Sequence, residues 1–223
     1  MAEVRAQISG SVAVTSDYVY RGVSLNNEKP ALQLNLTFDG KDGWYLGGFA
    51  SQVALGKQNR SGEQLIGYAG YARQLPSGLI WELGATQSVF PKEASLNYKE
   101  VFATVSFKNI SGRLYYSPDY LGYGLRTAYL DISASYPMSS ELYFFSHIGL
   151  LKYLSEQASV SYPYEKTYVS LPDKYDTRLG VGWNYLNCEF QLAWHHLSGD
   201  HSTDSQYKNN SRNSLVFKVV RAF

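Results

Sequence analysis

Apolar and polar residues alternate one by one along most of this chain. Near the start, Ile8, Val12, Val14, Tyr18 and Tyr20 oppose Ser9, Ser11, Thr15, Asp17 and Arg21; next, Leu32, Leu34, Leu36 and Phe38 oppose Gln33, Asn35, Thr37 and Asp39. The same pattern sets Leu79, Trp81, Leu83, Ala85 and Val89 against Glu82, Thr86 and Ser88, and Val101, Ala103, Val105 and Phe107 against Glu100, Thr104, Ser106 and Lys108. A period of two is the signature of strands with one dry and one wet face. It predicts about twelve strands near 8–20, 29–39, 43–55, 63–74, 79–90, 97–108, 110–119, 124–136, 140–153, 174–186, 188–198 and 212–223. Most are about twice as long as the usual strand of a globular protein. In 43–55 and 63–74 glycine and alanine are too frequent for the pattern to choose an outward face.

The connections alternate in length. Tight links fall at DGKDG (39–43), LPSG (75–78), KNIS (108–111), PMSS (137–140) and LN (186–187), and longer polar ones at 21–29, 56–62, 91–97, 154–173 and 199–212. Short turns at one end and long loops at the other are the layout of outer-membrane barrels, with turns periplasmic and loops extracellular. Trp44, Trp81, Phe107, Tyr136, Trp183 and Tyr185 lie near the short turns, as an interfacial girdle requires. Tyr18, Tyr20, Phe90, Tyr153, Tyr175 and Trp194 lie near the long loops and are expected to make the second girdle. The expected fold is therefore all-β, a closed antiparallel transmembrane β-barrel occupying residues 1–223 as a single domain. The competing fold, a soluble β-sandwich or lipocalin-like barrel, hides its apolar face inside but leaves the loop rhythm and the wet face without a reason.

Composition sharpens this picture. Charged residues make up 17% of the chain and aromatic ones 15%, with 20 tyrosines, while the mean hydropathy of -0.28 stays mildly polar. The apolar residues are thus interleaved, and no uninterrupted apolar run reaches the roughly 18 residues of a membrane-spanning helix. A net charge of +1 gives no basic excess to hold nucleic acid. The lone Cys188 allows no internal disulfide, and His147, His195, His196 and His201 lack metal-ligand spacing. The segment after Met1, AEVRAQ, has no apolar core of a signal peptide, so an exported chain is expected to have lost its signal already.

SGSVAVTSDYVYRGVS, followed shortly by KPALQLNL, resembles the Gcw_chp or TorF-type porins of proteobacterial outer membranes, whose N-terminal segment carries an S-D-Y-x-x-R-G-x-S pattern and then K-P-A-x-Q. The pattern covers about the first forty residues. The rest matches in barrel layout, length and terminal Phe223. The resemblance implies a small channel in the Gram-negative outer membrane. Some members resemble, by gene context, transporters linked to riboflavin supply. The last strand, SLVFKVVRAF, has Leu215, Phe217, Val219 and Phe223 on one face, interrupted by Arg221, and resembles the signal read by the barrel assembly machinery.

If one face meets lipid, the other lines a lumen. The expected lining begins with Asp17, Arg21, Gln33, Asn35, Glu82, Glu100, Lys108, Arg113, Tyr115 and Asp119, and continues with Tyr129, Asp131, Tyr143, His147, Asp176, Arg178, Glu189, Gln191, His195 and Lys218. Both signs of charge are present, so these groups could contact a solute or pair across the lumen and stiffen it. A barrel hydrolase acting on lipid is a weaker reading. His196 points outward, but Ser198, two residues on, lies about 7 Å away along the strand, too far for a nucleophile and its base. Tyr162, Tyr164 and Tyr168 in the 155–174 loop could stack on a planar ligand, narrow the pore or simply face outward. The sequence thus predicts a non-enzymatic channel for passive diffusion of small hydrophilic solutes, needing no cofactor and partnered by outer-membrane lipids, a small-molecule solute and the assembly machinery. A selective transporter for an aromatic nutrient such as riboflavin is the alternative.

Overall fold

The computed structural model describes residues 7–56, 60–155, 157–161, 165–169, 173–198 and 213–223. Its strands, in chain order, are β1 (Gln7–Thr15), β2 (Val19–Tyr20), β3 (Val23–Ser24), β4 (Ala31–Asp39), β5 (Trp44–Leu55), β6 (Arg60–Gln74), β7 (Ile80–Val89) and β8 (Tyr98–Phe107). They continue with β9 (Ile110–Tyr120), β10 (Leu125–Pro137), β11 (Leu142–Tyr153), β12 (Gln157–Ser161), β13 (Glu165–Val169), β14 (Lys174–Tyr185), β15 (Cys188–Ser198) and β16 (Asn213–Ala222). Twelve of them close an antiparallel barrel in the order β1, β16, β15, β14, β11, β10, β9, β8, β7, β6, β5, β4. The seam is β1 on β16, with Ser11 opposite Ala222 and Thr15 opposite Lys218. Closure leaves no sheet edge, so every strand finds backbone partners on both sides without water. The pairs β2–β3 and β12–β13 are separate hairpins.

Alternation fixes which way each strand faces. Ile8, Val14, Leu34, Leu36, Leu83, Val105, Leu114, Ile132, Ile148 and Leu215 are all exposed on the outer wall, while Gln33, Glu100, Thr104, Thr127, His147 and Asp176 on the opposite parity are buried. In water such a continuous apolar exterior would far exceed the few hundred Å² that soluble proteins tolerate. In a bilayer it is the surface lipid covers. The structure also settles the two Gly- and Ala-rich strands. In β5, Trp44 and Leu46 point outward while Phe49, Ser51 and Val53 point in; in β6, Leu65 is outward while Gln64 and Tyr68 are inward.

The inner wall carries a repeated device. Inward glycines sit in register opposite inward aromatics on the next strand: Gly47 opposite Tyr68, Gly70 opposite Tyr45, Gly84 opposite Phe102, Gly180 opposite Phe145 and Gly182 opposite Tyr143. In each case a Cβ on the glycine would run into the ring of its partner. Each ring therefore lies down over its cross-strand glycine, which packs aromatic bulk close to the wall.

The ends differ. One carries the links 40–43, 75–79, 108–109, 138–141 and 186–187; the other carries 16–30, 56–59, 90–97, 121–124, 154–173 and 199–212. The 121–124 link is as short as the opposite turns. It holds together through positive φ at Leu121, Gly122 and Gly124 and a bond from the Gly124 amide to Asp119 Oδ1 (2.5 Å).

The aromatic girdle near the short turns is present, with Trp44, Phe107, Tyr136, Trp183 and Tyr185 exposed on the outer wall. The expected second girdle needs correction. Tyr175 and Trp194 are exposed, but Tyr18, Tyr20, Phe90 and Tyr153 belong to a cluster buried inside the barrel. Their distribution follows from where β1 stops. The sequence extends that strand to residue 20, but it ends at Thr15, whose hydroxyl donates to the Asp17 carbonyl (2.7 Å) and turns the chain inward.

Candidate functional site

Residues 16–30 do not rise outward as a loop; they fold into the barrel mouth. The Leu25 amide donates to the Tyr18 carbonyl (2.7 Å), the Ala54 amide donates to the Leu25 carbonyl (2.7 Å), and β2–β3 form a two-rung hairpin between them. Asp17 Oδ1 accepts the Ser24 hydroxyl (2.7 Å), and the Ser24 Oγ in turn accepts the Glu28 amide (2.9 Å). Burial pushes the Asp17 carboxyl above its ordinary range, against the lowering effect of the Ser24 bond.

The hairpin tip spans the lumen. Tyr18 donates to Gln64 Oε1 on β6 (3.0 Å), Arg21 meets Glu100 on β8 through two bonds (3.0 and 2.8 Å), and Gly22 lies against Asp176 and Leu197 on β14 and β15. A Cβ at Gly22, whose φ is +76, would come within 2.7 Å of Asp176. Glycine is thus required there both for the backbone and for the space. Arg21 itself has φ of 49, an uncommon conformation outside glycine, which must be held by the contacts its side chain makes. Those contacts are extensive. The guanidinium and its Glu100 partner are 5% and 2% exposed, and the rings of Tyr129, Tyr20, Tyr115 and Tyr120 lie 4.2, 5.0, 5.0 and 5.4 Å from its centre. A bidentate ion pair enclosed by four tyrosines plugs the lumen beside a core at the long-loop end that includes Leu25, Phe90, Leu96, Tyr98 and Leu151.

Further along the lumen the remaining expected residues line both sides of the interior. On one side Arg113 donates to Glu82 (2.8 Å), Thr104 (2.7 Å) and Tyr115 (3.1 Å), and Glu82 also accepts from Tyr45. Nearby, Tyr68 donates to Asn35 Oδ1 (3.0 Å), and Gln33 donates to Ser51 (3.3 Å). On the other side His147 is bracketed, with Nε2 2.9 Å from Asp176 and 3.1 Å from the Tyr129 hydroxyl, and Nδ1 3.4 Å from Asp131 and 3.2 Å from Ser133. Tyr143 donates to Glu189, and Gln191 donates to both Glu189 (2.9 Å) and Tyr143 (3.0 Å). Arg178, His195 and Lys218 line the wall of β14 to β16, where Arg178 and His195 are in register.

Space remains around these groups. A cavity of about 170 Å³ lies beside the plug, lined by Arg21, Tyr115, Tyr129, His147, Asp176 and Arg178 among others. A larger one, about 810 Å³, opens toward the short turns and is lined by Lys108, Tyr143, Arg178, Glu189, Gln191 and Lys218 among others. Sequence reasoning picked the polar groups but missed the inward aromatics that fill the lumen, Tyr45, Phe49, Tyr68, Phe102 and Phe145. Phe102 shows the available signal: it shares the parity of Glu100 and Thr104. The tyrosines of the long loop fall elsewhere: Tyr168 lies in β13, while Tyr162, Tyr164 and His201 are outside the described residues.

On the outer wall His196 stacks on Trp194 at 5.6 Å, and its Nδ1 lies 3.0 Å from Asn213 Oδ1. Among the described residues no three His, Cys, Asp or Glu side chains gather as a metal site.

A closed barrel with an apolar outer wall and a polar, partly filled interior defines a transmembrane β-barrel of the bacterial outer-membrane type. The chain belongs to the Gcw_chp family, described as bacterial protein of unknown function, whose family model matches residues 2–223. A bacterial barrel of this kind resides in the Gram-negative outer membrane, where lipid covers its outer wall. No curated protein matches the chain. Among solved structures, the fold is similar to one from a study of the in-meso crystallization of membrane proteins, at 10% identity and a TM-score of 0.54, over 96% of this chain and 83% of that one. An outer membrane channel from Pseudomonas putida F1 aligns at 11% identity and a TM-score of 0.49, over 100% of this chain and 97% of the channel.

Proposed function

We propose that this protein is a non-enzymatic channel that lets small hydrophilic solutes diffuse passively across the outer membrane, with its long loops facing the exterior. The observation that carries the reading is the polar interior between the Arg21 plug and the short turns, with Arg178 bordering both the smaller and the larger cavity. Polar side chains of both signs can replace part of a solute's hydration, while the plug restricts passage to small molecules. The lining residues identified in the sequence are the groups assigned to that path. Selective uptake of an aromatic nutrient such as riboflavin would need an open slot between rings, and the Arg21 guanidinium already occupies the space among Tyr20, Tyr115, Tyr120 and Tyr129. Lipid hydrolysis has no support on the outer wall, where His196 is engaged by Trp194 and Asn213.

Swelling of liposomes containing the purified protein tests the reading with a panel of sugars and amino acids. Uptake that falls steadily with solute size and does not saturate is the expected result. Saturable uptake of one nutrient would replace the channel with a selective carrier, and absence of any flux would sink both.

A further inference from the structure

The lumen treats its cations unequally. Arg21 and Arg113 each face a carboxylate at 2.8 Å, on Glu100 and Glu82 respectively. Arg178 and Lys218 have no such partner: among the described residues neither takes part in an ion pair. Arg178 Nε is buried with no hydrogen-bond partner, and its guanidinium lies 5.3 Å from the Phe145 ring. Lys218 lies opposite Gln191 in the β15–β16 register, with Arg178 and Glu189 as its charged neighbours. The local carboxylates are committed elsewhere: Asp176 and Asp131 to His147, Tyr129 and Ser133, and Glu189 to Tyr143 and Gln191. The cavity of about 810 Å³ is therefore lined by three cations, Lys108, Arg178 and Lys218, against the single carboxylate Glu189.

A buried donor without an acceptor and a sequestered cation outside ion-pair contact both carry a free-energy cost that one small anion would lower. A guanidinium and an ammonium at one cavity suit an oxyanion, the first through its planar fork and the second as a point charge. We propose that Arg178 and Lys218 form an anion station in the lumen, which makes the channel favour small oxyanions such as phosphate or carboxylates over cations. This assignment rests on the channel reading and names the class of solute it passes. Arg178 borders both cavities, so an anion held there sits where the path passes from the wide vestibule to the constriction beside the plug.

The test is the reversal potential across planar bilayers under a steep potassium phosphate gradient, with calorimetric titration of inorganic phosphate into the protein in detergent. The wild type should reverse on the anion side. Lys218→Gln should lower the anion-to-cation permeability ratio by about sevenfold, because one unit charge roughly 7 Å away through water changes anion and cation permeation by about threefold each in opposite directions. Arg178→Gln should do at least as much, and Glu189→Gln should raise the ratio, which guards against a variant that merely misfolds. Currents that favour potassium, or a ratio unmoved by all three substitutions, would overturn the anion station and leave the channel standing. If no current flows, the channel reading fails; the station then survives only if wild-type protein binds phosphate and Lys218→Gln does not.

Discussion

Replacing Arg21 by alanine should unseat the plug. The substitution removes a guanidinium bonded twice to Glu100, at 3.0 and 2.8 Å, and leaves that carboxylate buried with its side chain 2% exposed. Stranding one partner of a buried pair costs about 3–5 kcal/mol, a total that includes the attraction of the tyrosine rings, of which Tyr129 at 4.2 Å is nearest. That is a shift of roughly 100-fold or more in the balance between seated and unseated plug. The barrel ladder does not depend on Arg21, since its strands pair around the full circle without the hairpin. The expected outcome is therefore a folded barrel with larger and noisier single-channel conductance in planar bilayers. The double variant Arg21→Met with Glu100→Gln removes both charges, so its stability to urea should recover most of what Arg21→Ala loses. Wild-type conductance and wild-type stability in Arg21→Ala would refute the reasoning. So would a double variant no more stable than the single one, because the cost would then not come from the stranded carboxylate.

Three further outcomes follow from the same geometry. Arg60→Ala breaks an ion pair of similar length, 3.1 Å to Glu93, but with side chains 60% and 31% exposed, so urea denaturation should register no more than about 1 kcal/mol. Gly84→Val places a branched side chain where the Phe102 ring lies, and should destabilise the barrel by about 1–3 kcal/mol in the same assay while Gly67→Val, with open space around its outward Cβ, does not. Asp17 has its folded-state carboxyl raised by burial, so its contribution to plug stability is full below the ordinary aspartate value and is lost as pH rises through the raised one. Wild-type conductance should accordingly increase from about pH 3 toward pH 7, and Asp17→Asn should flatten that profile.

The strand pattern was legible in the sequence because the side-chain period of a strand is two and one face of every barrel strand must satisfy lipid. Leu32, Leu34 and Leu36 could point only one way, and their polar neighbours Gln33 and Asn35 were thereby sent inward. The same logic failed where both faces carried small residues, in β5 and β6, because glycine and alanine have little preference between lipid and lumen. It failed at Tyr18 and Tyr20 for a different reason. Alternation continues past Thr15, yet Tyr18 bonds Gln64 and Arg21 bonds Glu100 across 46 and 79 residues of chain. Local periodicity carries no information about such distant partners. The chain by itself thus determined a two-faced barrel and which polar groups it would hold. Whether those groups line an open tube or close it depended on which of them meet across the interior, and only barrel closure, by bringing β6, β8 and β14 around one hairpin, decided that.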